Sequence, residues 1–264
     1  MKSESQKIKI NYISFNQDNT CFVVGTSTDF RVYRVDPLKC YKIRAIPEGI
    51  NRIEMLQRTN ILAFQTENYI KNNQLYLWDD KEQKIFKTII VKDPILNFKI
   101  KRKLIFIVCQ DEIKIICVIG AEIDTIKTIK NKEGIFSISQ DINSNIIAYL
   151  SGERKDITIK NYNNFESGKI KEKIISNAHD YEIMMLTLNN VGTLIASINI
   201  YGKVFKVFNA ETGDLIFKFR RGQYEASIYS MAFDFKSKYF ACSSNHETIH
   251  IFKLKNEKRY YFIK

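Results

Sequence analysis

The chain has 264 residues, 45% of them hydrophobic, with only ten glycines and three prolines, so a full hydrophobic core is expected. Its 41 Lys and Arg against 29 Asp and Glu leave a formal net charge of +12, which calls for an anionic partner, lipid headgroups and nucleic acid both qualifying. No apolar run reaches the ~20 residues of a membrane-spanning helix. Residues 1–6 carry no apolar signal region. The cysteines Cys21, Cys40, Cys109, Cys117 and Cys242 are odd in number and show no C-x-x-C spacing, which reads as a reducing, cytosolic setting rather than a disulfide framework.

From the N-terminus, short runs of β-branched and aromatic residues alternate with Asn, Asp, Gly and Ser turns. Lys9–Phe15, Cys21–Gly25, Phe30–Val35 and Tyr41–Ile46 form the first set of strands, with turn chemistry at Asn16-Gln17-Asp18-Asn19. A second set covers Ile50–Val91 and contains the single tryptophan, in Tyr76-Leu77-Trp78-Asp79-Asp80. Further sets cover Ile95–Lys130, Gly134–Ser176, Ala178–Phe219 and Ile228–Phe262, the fifth turning at Asn189-Asn190-Val191-Gly192. The repeat of about 40 residues is the period of propeller blades, whereas a β-sandwich predicts no such period. The sequence therefore predicts an all-β, WD40-type β-propeller with six recognisable blades, residues 1–264 forming one domain. The tail Lys253–Lys264, with Tyr260-Tyr261-Phe262, has a basic-aromatic mixture that suits a lipid interface, but the last blade strand is the preferred reading.

Several stretches carry a family likeness. They include Gly25-Thr26-Ser27, Phe30-Arg31-Val32-Tyr33, Glu54-Met55-Leu56-Gln57-Arg58-Thr59-Asn60 and Ile147-Ala148-Tyr149. In the last third, Ala178-His179, Gly192-Thr193, Phe219-Arg220-Arg221-Gly222, Ile228-Tyr229-Ser230-Met231-Ala232-Phe233 and His250-Ile251-Phe252 follow in order. This ordered set resembles the PROPPINs, phosphoinositide-binding β-propellers of autophagy and endosomal membranes.

The arginine pair makes chemical sense without the name. Successive strand side chains point to opposite sides, so Arg220 and Arg221 can serve two crevices, each with a planar donor fork for phosphate. Gly222 is expected to permit a close turn. The resemblance implies two inositol-phosphate pockets: His179 and Ser197 beside one arginine, and Ser243, Ser244, Thr248 and His250 beside the other, with Phe219 and Gly222 supporting the motif. It further implies phosphatidylinositol 3-phosphate or 3,5-bisphosphate as ligand. The partners it implies are phosphoinositide membranes and autophagy or trafficking proteins such as lipid-transfer partners. The expected location is cytoplasmic, peripheral to phagophore, endosomal or vacuolar membranes, with the protein monomeric when soluble.

Two departures stand out. Ser197-Ile198-Asn199-Ile200-Tyr201-Gly202-Lys203 carries Asn199 and Lys203 where small hydroxyls are expected. The family pattern has seven blades, so a C-terminal blade is missing or atypical here. The chain carries no P-loop, dinucleotide fingerprint, zincin motif or nucleophile elbow, and its three histidines and five cysteines lack metal spacing. No catalysis, cofactor or metal is expected. A propeller scaffold that binds only proteins is the rival reading; a nucleic-acid binder ranks last, for want of any recognised module.

Overall fold

A computed structural model describes residues 8–118, 120–255 and 260–263. Among the described residues every long element is a strand, and the strands form six four-stranded sheets whose members follow one another in sequence. The fold is all-β, with the six-bladed propeller arrangement that the repeat predicts. The chain divides into two compact units: residues 1–109 with 114–122, and residues 110–113 with 123–264.

In the first unit, one sheet is β1 (Ile10–Phe15), β2 (Cys21–Thr26), β3 (Asp29–Arg34) and β4 (Lys39–Ala45), and another is β5 (Ile50–Met55), β6 (Ile61–Thr66), β7 (Gln74–Asp79) and β8 (Lys84–Ile90). A further sheet contains β9 (Asn97–Ile100), β10 (Leu104–Val108), β11 (Glu112–Cys117) and β12 (Glu122–Lys127), of which β9, β10 and most of β11 belong to this unit. The second strand of this sheet, β10, is apolar without alternation, all five of its residues being buried, because both of its faces are covered. Phe30, Ile50, Ile53 and Phe64 form a core against which the half-buried Trp78 packs, edge-on to Phe30 at 6.1 Å. The Trp78 indole donates to the buried Asp80 carboxylate at 3.5 Å, and Arg44 and Lys42 neutralise that carboxylate.

In the second unit, the sheets are β13 (Phe136–Ile138), β14 (Ile146–Ser151), β15 (Asp156–Asn164) and β16 (Lys169–Ile175); β17 (Ile183–Leu188), β18 (Leu194–Asn199), β19 (Val204–Asn209) and β20 (Leu215–Arg220); and β21 (Ile228–Phe233), β22 (Tyr239–Ser244), β23 (Ile249–Lys253) and β24 (Tyr260–Ile263). Only the backbone of β24 is described, so the side chains of Tyr260-Tyr261-Phe262 lie outside the described residues.

The repeat extends to hydrogen bonding. The first strand of a sheet slips register near its start at Ile10/Tyr12, Ile50/Arg52, Ile183/Met185 and Ile228/Ser230, a bulge in the same place each time. The turn after that strand is locked by a side-chain oxygen that accepts a backbone N–H five residues on: Asn16 from Cys21 at 3.0 Å, Asn189 from Leu194 at 3.0 Å and Asp234 from Tyr239 at 2.5 Å. Asn16 and Asn189 open the turns that the sequence pattern singles out, and Asp234 takes the same place in the last sheet.

The last two sheets share an aromatic core. Phe252 stacks on Phe219 at 4.9 Å and lies 5.9 Å from Phe205, and Phe205 meets Phe240 edge-to-face at 5.2 Å. With Phe252 only 1% exposed, Phe252→Ala leaves a cavity that the rigid sheets cannot fill. Urea unfolding is expected to show a loss of about 3–5 kcal/mol, while a loss below about 1 kcal/mol would show that this core is not packed as described.

Candidate functional site

β20 ends in Phe219-Arg220, and alternation decides what each residue of the motif does. Phe219 is buried in the aromatic core, Arg220 is exposed, and Arg221 is buried, with 7% of its surface exposed. The two guanidinium groups therefore leave the chain toward opposite sides, as the alternation predicts.

Arg221 holds two loops together. Its backbone N–H donates to the Lys203 carbonyl at 2.8 Å, its Nε to the Gly202 carbonyl at 2.8 Å, and its Nη2 to the Tyr224 carbonyl at 2.7 Å. These bonds tie the β18–β19 turn to the β20–β21 loop. A guanidinium has five N–H donors, and the two side-chain bonds to loop carbonyls engage two of them. Burial lowers the pKa of Arg221. The Cys242 thiol beside it is pushed by burial up to about 11.

Of the groups expected beside one of the arginines, His250 is the one whose ring feels the charge of Arg221. His250 Nε2 and Thr248 Oγ1 share a hydrogen bond at 3.1 Å. Burial first, then the positive charge of Arg221, lowers the pKa of His250 and favours its neutral form. Ser244 is buried and its hydroxyl accepts the His246 N–H at 3.4 Å, while His246 Nε2 reaches the Glu225 carbonyl at 2.9 Å. Ser243 sits half-buried on β22, in register with Ser230 and Ile249.

The other expected pocket is different. His179 and Ser197 do meet, Nε2 to Oγ at 2.9 Å, but they are only 2% and 0% exposed. They form a pair inside the sheet rather than lining an open cleft, because Ser197 occupies a β18 position covered on both faces. Burial, helped by the charge of Lys206, pushes the His179 pKa down to about 4, so the imidazole is neutral and Ser197 is its hydrogen-bonding partner. The nearby surface cleft, about 420 Å³, is lined instead by Tyr181, Asn199, Tyr201, Lys203, Val204 and Glu225. Arg220 stands opposite Val204 in the β19–β20 ladder. Lys203 fills part of this cleft, 3.4 Å from Glu225 and 5.6 Å from the Tyr201 ring.

The glycine expectation shifts by one loop. A Cβ on Gly222 would touch nothing within 4 Å, so no close approach requires glycine there. Gly202 carries that duty: its φ is +65°, and a Cβ would lie 2.0 Å from the Ala226 carbonyl oxygen. The sequence signal was available, since Asn199-Ile200-Tyr201-Gly202 is a turn with glycine at its left-handed position. Among the described residues, no three His, Cys, Asp or Glu side chains gather as a metal site requires.

A family model described as PROPPIN matches residues 9–259. The chain belongs to the PROPPIN family. Among its relatives, autophagy-related protein 18 of Yarrowia lipolytica is 30% identical, the match covering 93% of this chain and 66% of that protein. Autophagy-related protein 18 of Komagataella pastoris is 27% identical over 93% of this chain and 52% of that protein, so the PROPPIN chain spans about half the length of that curated relative. The structure of Kluyveromyces lactis Hsv2 superposes with a TM-score of 0.84 at 25% identity, covering 95% of this chain and 76% of that one.

Two outcomes follow for this PROPPIN. The unfolded histidine titrates near 6.5 and the folded His179 near 4, so the unfolded chain binds more protons between these values. The stability due to neutral His179 is complete above pH 6.5 and lost as the pH falls toward 4, a contribution on the order of 3 kcal/mol. Unfolding midpoints measured across that window should fall steeply in wild type and more gently in His179→Gln; parallel curves would contradict the buried neutral pair. Gly202→Ala should destabilise by about 2 kcal/mol or more in urea, from left-handed strain plus the clash, whereas Gly222→Ala should stay within about 0.5 kcal/mol of wild type.

Proposed function

We propose that this PROPPIN is a membrane-recruited phosphoinositide effector. It binds phosphatidylinositol 3-phosphate, the 3,5-bisphosphate or both through Phe219-Arg220-Arg221-Gly222, and it scaffolds proteins in autophagy or endosomal traffic. The observation that carries this reading is the placement of two consecutive arginines on opposite sides of one strand end: Arg220 exposed, and Arg221 close enough to His250 for its charge to act on that ring. Family membership and the autophagy-related names of its relatives point the same way. Phe219 fixes the strand end through its stack on Phe252, so the arginines start from a rigid base. The reading treats residues 1–264 as one propeller domain, peripheral on a cytoplasmic membrane face, and assigns it no catalytic step.

A second reading has an observation of its own. His179 and Ser197 are buried together, and Lys203 is engaged by Glu225 and Tyr201, so one of the two expected pockets departs from the family pattern. A protein-only scaffold would have this feature.

Co-sedimentation with phosphatidylcholine vesicles containing phosphatidylinositol 3-phosphate separates the two. Charge-assisted bonds contribute about 1.5–3 kcal/mol each, so Arg220→Thr should weaken binding by roughly 10- to 150-fold, and Arg220→Thr with Arg221→Thr should abolish it. Because Arg221 also bonds two loop carbonyls, only the variants carrying Arg221→Thr should lose melting temperature as well. Equal binding by wild type and Arg220→Thr would overturn the assignment of Arg220. No binding by folded wild type would favour the protein-only scaffold.

A further inference from the structure

Three cations meet in a cleft of the first unit, away from the arginine motif. The cleft, about 410 Å³, is lined by Cys21, Arg34, Pro37, Lys39, Tyr41 and Arg58. Cys21, Arg34 and Lys39 form one row across β2, β3 and β4, each in register with the next. Arg34 and Lys39 therefore stand directly opposite each other, and like charges so placed destabilise a sheet. Among the described residues, neither forms an ion pair or a side-chain hydrogen bond. Arg58 arrives from the β5–β6 turn, its Nε donating to Thr20 Oγ1 at 2.8 Å, with the Asp18 carboxylate at 3.4 Å. Asp18 thus answers one of the three charges.

The same row is built differently elsewhere in the repeat. Opposite the first residue of the second strand stand Asp79, Asn161 and Asn209 in three other sheets, where the first sheet has Arg34. Each accepts a backbone N–H two positions on: Asp79 from Lys81 at 2.8 Å, Asn161 from Asn163 at 2.9 Å and Asn209 from Glu211 at 2.8 Å. A guanidinium has no acceptor and cannot lock that turn. Asp79 moreover faces Lys84, an opposite charge where the first sheet sets Arg34 against Lys39. A cleft of the second unit, about 350 Å³ and lined by Asn161 of this row, balances Lys171 and Lys173 with Glu172 and Glu211. Arg34 breaks the rule of its own repeat and gains no partner within the described chain, as functional positions do.

We infer that Arg34, Lys39 and Arg58 form an anion site in the first unit that takes a multiply charged phosphoryl group, free or carried as phosphoserine. Two guanidinium forks suit phosphate oxygens, and the ammonium adds a third charge. Tyr41 and Pro37 supply an apolar wall beside them. A bound anion relieves the Arg34–Lys39 repulsion, so occupancy and stability are linked. The site stands independently of the phosphoinositide reading. It shares no residue with Phe219-Arg220-Arg221-Gly222 and belongs to the other compact unit.

The test titrates the full chain with sodium pyrophosphate, and separately with N-acetyl-phosphoserine amide, following arginine Nε–H signals by NMR. Arg34 and Arg58 should shift saturably, and sodium chloride at matched ionic strength should not reproduce the shift. Lys39→Gln should weaken pyrophosphate binding, read at Arg58, by roughly 10- to 150-fold. Arg34→Asp, which restores the residue type of Asp79, should weaken it at least as much, yet unfold at higher urea than wild type in the absence of anion. Saturation by pyrophosphate alone supports a free polyphosphate as the ligand, and saturation by the phosphoserine amide as well supports a phosphorylated protein. Non-saturating shifts of Arg34 and Arg58 with both probes would overturn the site. Wild-type affinity at Arg58 in Arg34→Asp would overturn it equally.

Discussion

The candidate site depends on the buried guanidinium of Arg221. Its two bonds, to the Gly202 and Tyr224 carbonyls, satisfy loop backbone that no strand ladder reaches. They also bring Tyr224, Lys203 and Arg220 to one edge of the second unit. A lysine could carry the charge but not this fork, since its single ammonium cannot span two carbonyls in fixed planar geometry. The same side chain closes the loops and, on the proposed reading, offers its remaining N–H groups to a headgroup.

Behind the arginine is the aromatic core. Phe219 stacks on Phe252, which lies beside Phe205, which meets Phe240, so the motif grows out of the most densely aromatic part of the second unit. A strand end anchored in this way loses little further entropy when a ligand binds, which is how rigid scaffolds turn weak polar contacts into useful affinity. His250 joins the two layers. Its ring lies 6.3 Å from Phe252, close to parallel with it, while Nε2 reaches Thr248.

The architecture was legible in the sequence because its signals are local. The repeat of about 40 residues, the Asn16 and Asn189 turns and the alternation of Phe219, Arg220 and Arg221 each depend on a few adjacent residues. What was not legible depends on how deep a residue lies. Ser197 looks like any small hydroxyl near a strand end, and only the packing of both faces of β18 makes it wholly inaccessible. The motif glycine drew attention because it adjoins the arginines, yet the close approach is made at Gly202, where another loop's carbonyl arrives. The roles of Tyr224 and Gly202 likewise emerge only when two loops distant in sequence are seen to share one guanidinium.

The most direct test is an NMR titration with soluble dioctanoyl phosphatidylinositol 3-phosphate, following the arginine side-chain Nε–H signals and the imidazole resonances. The account predicts a saturable shift of Arg220 and of the His250 ring. The Arg221 Nε–H should stay protected from solvent exchange throughout, because its bond to Gly202 persists in the complex. Shifts confined to scattered surface lysines, with Arg220 and His250 unmoved at saturation, would contradict it.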